Sequence, residues 1–141
     1  MSWIPLAILS AFTAALVAIF GKLGLQNIDS TLATTVRSII MALFLVATSL
    51  ALGKFSGFSL SSFAGKEWLL IIGAGIAGAL SWLFYFFAIK LGPVNGVVAI
   101  DRLSLVFVVI MAALFVGEAF TWRVGLGAAL MVGGALLISL K

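Results

Sequence analysis

The 141-residue sequence has no cysteine and no histidine, only two prolines, and charged side chains at 9% of its positions. Without cysteine there is no disulfide scaffold and no thiol nucleophile. Without histidine there is no imidazole base, and the usual zinc ligands are missing as well. A water-soluble domain carries about a quarter charged residues, so this chain lies far outside the soluble range. The formal charge is +4, yet the eight Lys and Arg are scattered singly, with no run to track a phosphate backbone, and no nucleic-acid partner is expected. What is abundant is apolar: 65% hydrophobic residues, 15 glycines and a mean hydropathy of +1.37. The solvent of this chain is lipid.

A bilayer core about 30 Å thick is crossed by roughly 20 apolar residues as helix. Five such segments follow one another, predicted at about 3–24, 31–52, 68–89, 94–116 and 122–140. Asp29, Ser30 and Thr31 form a polar start for the second, and Gly53 closes it. The stretch 54–67 is the longest polar loop. Gly92-Pro93 stops the third segment, Gly117 to Phe120 turns the chain, and Thr121 caps the fifth. Barrel strands would alternate apolar and polar residues, which these segments do not. Met1-Ser2-Trp3 has no positive n-region and the first apolar run exceeds a signal-peptide core, so a retained span is expected. The predicted fold is an all-α integral membrane protein, one domain over 1–141, with five transmembrane helices and termini on opposite sides.

On the N-terminal side lie Lys54, Lys66 and Arg123; on the other lie Lys22, Lys90 and Lys141, and the positive-inside rule does not choose between three and three. Adding Arg37 and Arg102, each about six residues inside a span, tilts the count to five against three for the second side as cytoplasmic. Trp3, Trp68 and Trp122 mark the N-terminal-side interface. A balanced chain with an odd number of spans can insert both ways. Two opposed copies then make the inverted pair that larger transporters obtain by internal repeat. The expectation is a dual-topology antiparallel homodimer of ten helices; the alternative is one orientation with a separate partner chain. Small residues recur every four positions at Ala7, Ala11 and Ala15, at Gly73, Ala77 and Ser81, and at Gly125, Ala129 and Gly133, stripes that allow close helix approach.

Four ionisable side chains lie in or just inside apolar spans: Lys22, Arg37, Asp101 and Arg102. A charge at mid-span costs about 2.5–3.5 kcal/mol on insertion scales, so such groups pair or face the bundle interior. Arg37 and Asp101 sit at matching depth, about 9–10 Å below the same entrance at 1.5 Å per residue. An ion pair between them is natural. One reading makes Asp101 exchange between Arg37 and a substrate or proton during transport; the other makes the pair a permanent lock between helices two and four. Arg102 points about 100° from Asp101 and needs another partner or snorkels outward. Trp82, fourteen residues past Trp68, is too deep for an interfacial belt, and Tyr85 and Phe86 share its helix face. Such a wall suits organic or cationic ligands. Plain packing aromatics are the alternative, since Phe84 and Phe87 crowd the same helix. Phe12, mid-helix one, is a further candidate for the substrate site.

The motif Gly73-Ala74-Gly75-Ile76-Ala77-Gly78 matches a dinucleotide fingerprint, but such fingerprints work in alternating strand–helix units that this chain lacks. Phe20-Gly21-Lys22-Leu23 lacks the earlier glycine and the hydroxyl of a phosphate loop. No cofactor or metal is expected, and no nucleophile–base constellation marks an enzyme.

Motifs along the whole chain resemble the EamA domain of the drug/metabolite transporter superfamily in its short single-domain form. They are Ser10-Ala11 to Ile19-Phe20-Gly21-Lys22-Leu23-Gly24-Leu25, Asp29-Ser30, Ala33-Thr34-Thr35-Val36-Arg37, and Leu80-Ser81-Trp82 to Tyr85-Phe86. Leu91-Gly92-Pro93-Val94, Ile100-Asp101-Arg102-Leu103-Ser104 and Leu114-Phe115-Val116-Gly117-Glu118 complete the set. The resemblance implies a multi-pass protein of the prokaryotic inner membrane that moves small metabolites. It also implies a gate or loop-ordering role for Glu118, whose plainer reading is an interfacial acid near Arg123. Related small multidrug-resistance proteins carry a glutamate within the first helix. This chain has no acid between Trp3 and Phe20, so that proton-coupled mechanism does not carry over. The expected function is secondary transport of small organic metabolites or amphiphiles by alternating access. A non-transporting subunit or a lipid-carrier flippase, either working with a partner chain, is the alternative.

Overall fold

The computed structural model describes residues 2–59 and 65–140, all helix and connecting turns with no strand among them. Lys141, used in the charge count, and residues 60–64 of the long loop lie outside the described residues. The helices are α1 (Trp3–Gly24), α2 (Ser30–Ala51), α3 (Gly65–Leu91), α4 (Val94–Asp101), α5 (Ser104–Met111) and α6 (Trp122–Ser139), with one π-helical turn (Ala112–Val116) following α5. Among the described residues, five stretches are long and apolar enough to cross a membrane: α1, α2, α3, the run Val94–Val116, and α6. At 1.5 Å per residue, the 22 residues of α1 extend about 33 Å, enough for the hydrocarbon core.

The predicted punctuation is present. Asp29 caps α2, its Oδ1 accepting from the backbone N–H groups of Thr31 (2.9 Å) and Leu32 (3.0 Å). Thr121 Oγ1 accepts from Val124 N–H at 3.4 Å at the start of α6. Helix α3 begins three residues before, and ends two residues after, its predicted limits of 68 and 89. Several hydroxyls within the spans bond on their own helix: Thr34 donates to the Ser30 carbonyl (2.7 Å), Ser38 to Thr34 (2.8 Å) and Thr48 to Phe44 (2.8 Å), while the buried Ser30 Oγ finds no partner among the described residues. That local bonding is what lets polar side chains sit in lipid.

The fourth span departs from a single helix. Leu103 N–H donates to Ile100 (2.9 Å) and Leu105 N–H to Arg102 (3.1 Å), each three residues back, so the carbonyls of Ala99 and Asp101 lose their usual helical donors. Further on, the π turn ends when the Gly117 backbone enters the left-handed region at φ 76° and its N–H reaches the Ala112 carbonyl.

The chain divides into two compact units, Met1–Leu23 with Leu91–Lys141, and Gly24–Lys90. In the first, α4 packs on α6 through small residues. Gly96, Ala99, Ala128 and Ala135 are buried. A Cβ at Gly96 would stand 3.4 Å from Pro93 Cγ and 4.0 Å from Ser139 Cα, so a methyl group would just reach van der Waals contact at this crossing. Ser139 Oγ donates to the Ala135 carbonyl (2.7 Å) and reaches the Gly96 carbonyl (3.4 Å). Lys22 Nζ donates to the Gly92 carbonyl at 2.9 Å. The second unit holds α2 and α3, with Ser30, Thr34, Phe86 and Ile89 buried.

The small-residue stripes face a different way from the contacts within the chain. Of the residues at the predicted spacing, only Gly125 turns inward; Ala7, Ala11, Ala15, Gly73, Ala77, Ser81, Ala129 and Gly133 are exposed. The inward face of α6 is instead Gly125, Ala128, Val132, Ala135 and Ser139, a helical repeat offset from the stripe.

Candidate functional site

Residues three and four apart on a helix share a face, so Trp82, Tyr85 and Phe86 of α3 come together. The Trp82 ring stacks on Phe86 (centroids 5.8 Å apart, planes at 29°) and meets Tyr85 edge-on (5.5 Å, 82°). Phe86 is buried at 4% exposure, whereas Trp82 and Tyr85 are half-buried. The three rings form a cluster, but its face is not vacant. The guanidinium carbon of Arg37 lies 3.7 Å from the Trp82 ring centroid and 5.4 Å from that of Phe86.

The meeting follows from the hairpin. Arg37 is seven residues from the start of α2 and Trp82 nine from the end of α3. These helices follow one another in the chain, so both positions lie roughly 10–14 Å from the same end. Charge alone directs Arg37 towards acids and overlooks the aromatic face at its own depth; the succession of the two helices in the chain was the signal. A cation over an indole ring is attracted by the ring's quadrupole, by about 2 kcal/mol or more when desolvated. That contact uses the guanidinium's face and none of its N–H groups. Nη1 of Arg37 is buried and has no hydrogen-bond partner among the described residues.

The other candidates lie in the first unit. Asp101 is the last residue of α4, half-buried at the interruption of the fourth span, and Arg102 beside it is exposed. Phe12 is 62% exposed on α1. Lys22 is engaged with the Gly92 carbonyl at the turn before α4. Glu118 is exposed just beyond the π turn, its backbone N–H donating to the Ala112 carbonyl at 3.2 Å. Arg123 rests 5.9 Å from the Trp122 ring. Sequence reasoning missed the interruption itself. The Asp101-Arg102 doublet followed by Ser104 was its only trace, since nearby Gly and Pro are absent there. Among the described residues, no group of three or more acids lies together to hold a metal ion.

The sequence profile of the EamA-like transporter family matches residues 1–140. An uncharacterized transporter in the cobO 3' region of a Sinorhizobium species is 39% identical over 138 residues, covering 98% of this chain and 96% of that protein. No solved structure matches the chain. A match over nearly every residue, together with a relative of equal size called a transporter, makes this multi-pass membrane protein a member of the EamA-like transporter family.

Proposed function

We propose that the protein carries small organic metabolites or amphiphiles across the inner membrane of a prokaryote by alternating access, as a secondary transporter built from two copies in opposite orientations. The observation that carries this reading is the interrupted fourth span. In hydrocarbon an unsatisfied backbone carbonyl costs several kcal/mol, so irregular backbone is tolerated only where protein or a water-filled cavity covers it. Interrupted helices with a nearby ionisable group are what transporters use at their midplane sites, and the interruption doubles as a hinge. Here the loosened carbonyls of Ala99 and Asp101 flank the Asp101 carboxyl. In this account Asp101 takes up and releases a proton during the cycle.

The dimer is supported by two features. The Lys and Arg that flank the spans are balanced between the two sides, and the small-residue stripes on α1, α3 and α6 are exposed except at Gly125. The test is reconstitution of the purified protein in liposomes with a defined mixture of small organic solutes, accumulation being read by mass spectrometry. Accumulation by the wild type, lost in Asp101→Asn while the dimer persists, is the expected result. Loss of folded protein in Asp101→Asn would make Asp101 a structural lock.

A further inference from the structure

We infer that Arg37, stacked on Trp82, is a recognition point for an oxyanion, and that the transported solute is a soluble organic anion bearing a carboxylate or phosphate. This rests on the transport reading above and narrows its substrate class. The aromatic face that would otherwise attract a cation is already covered by one, 3.7 Å away. A second cation there would meet like charge. What the group offers outward is the guanidinium edge, a planar fork of N–H donors matched to carboxylate and phosphate. The stack fixes the plane of that fork without consuming a donor, and Nη1 is left buried without an acceptor. A charged donor in that condition is costly in an apolar surrounding and is relieved when an acceptor arrives.

The charge balance of the spans points the same way. Arg37 is the only Asp, Glu, Lys or Arg in α2, and α3 has none between Glu67 and Lys90. Glu67 lies in the first turn of α3, at the end away from Trp82, which leaves Asp101 as the acid in a span interior against Arg37 and Arg102, so one arginine lacks an acidic partner even if Asp101 takes the other. Arg102 is exposed and free to reach outward, whereas Arg37 is held on the rings. Tyr85 and the uncovered edge of Trp82, both half-buried, then supply apolar contact for the body of the solute.

The experiment uses a full-length protein retaining Trp82 as its single tryptophan (Trp3→Phe, Trp68→Phe and Trp122→Phe) in phosphatidylcholine vesicles. Trp82 fluorescence is titrated with benzoate and phenyl phosphate, and with benzamide and benzylamine as neutral and cationic counterparts. The same protein is tested for solute accumulation from a mixture of organic acids, sugar phosphates, sugars and amines. The expected result is a saturable response to the anions alone, weakened on the order of tenfold to a hundredfold in Arg37→Gln, the loss of a hydrogen bond to a charged group. Arg37→Lys, which keeps the charge and protects against misfolding as an explanation, retains part of the response. Accumulated solutes are anionic. A response to the amine or amide equal to that of the anions, or anion binding unchanged in Arg37→Gln, overturns the proposal. A response that appears only when phosphatidylglycerol is added overturns the soluble solute in favour of a lipid headgroup. Anion binding without accumulation of any solute sinks the transport reading and leaves the oxyanion site standing; accumulation of neutral or cationic solutes does the reverse.

Discussion

The Lys90 ammonium, near the end of α3, donates a 2.8 Å hydrogen bond to the carbonyl of Ile28 in the turn that leads into α2. The next residue, Asp29, caps α2. Its carboxyl is held below the ordinary value of 3.8 by the N–H of Leu32, with further help from Thr31 and the charge of Lys90, while desolvation opposes. A depressed folded-state value stabilises the protein above the ordinary one, and that benefit is lost as pH falls through the depressed one. Wild type is therefore expected to unfold at a higher temperature than Asp29→Asn at neutral pH, the gap being small because Asn also caps. The gap closes below pH 3.8. Thermal unfolding of both proteins in detergent across this range checks it. Lys90→Met should narrow the gap at neutral pH, since it removes one of the contributors to the Asp29 shift.

Gly96 should tolerate little enlargement. A methyl group would already touch Pro93 and approach the Ser139 backbone, so Gly96→Leu is expected to cost about 1–3 kcal/mol as α4 is pushed off α6. Gly133→Leu, on the exposed face of α6, is the comparison: it should leave unfolding of the single chain unchanged while weakening the proposed dimer. Unfolding titrations and cross-linking yields for the two variants separate these effects.

Gly117 is required for a different reason, its left-handed backbone at φ 76°. Nothing crowds the site, so Gly117→Ala tests conformation alone, and a loss of about 1–2 kcal/mol is expected. Gly117→Asn should recover part of the loss, because Asn accepts this conformation more readily. Equal stability of all three proteins would show that the turn after the π-helical segment is not held in this form.

The spans and their caps were legible because each rests on local chemistry. Asp29 before a run of Thr and Leu, Gly92-Pro93, and Thr121 before Trp122 each act within a few residues. The Trp82–Tyr85–Phe86 cluster was legible for the same reason, being a spacing on one helix. Arg37 on Trp82 was not, because opposite charge was sought for it and an aromatic partner carries no charge to match. The interruption at Arg102 was hidden because apolar residues on both sides keep the run continuous; hydropathy registers length and not hydrogen-bond register. The stripes showed the value of spacing and its limit. A repeat of four names a face without naming what it meets, and the faces used inside the chain are others.

The claim on which the rest depends is that two copies insert oppositely and assemble. The absence of native cysteine makes it directly measurable. Ser2→Cys and Asn27→Cys, both exposed and on opposite sides of α1, are each treated in intact cells with a membrane-impermeant maleimide. Labelling of about half the molecules at each site is the result this account predicts for dual insertion. Complete labelling at one site and none at the other would contradict it and require a partner of different sequence.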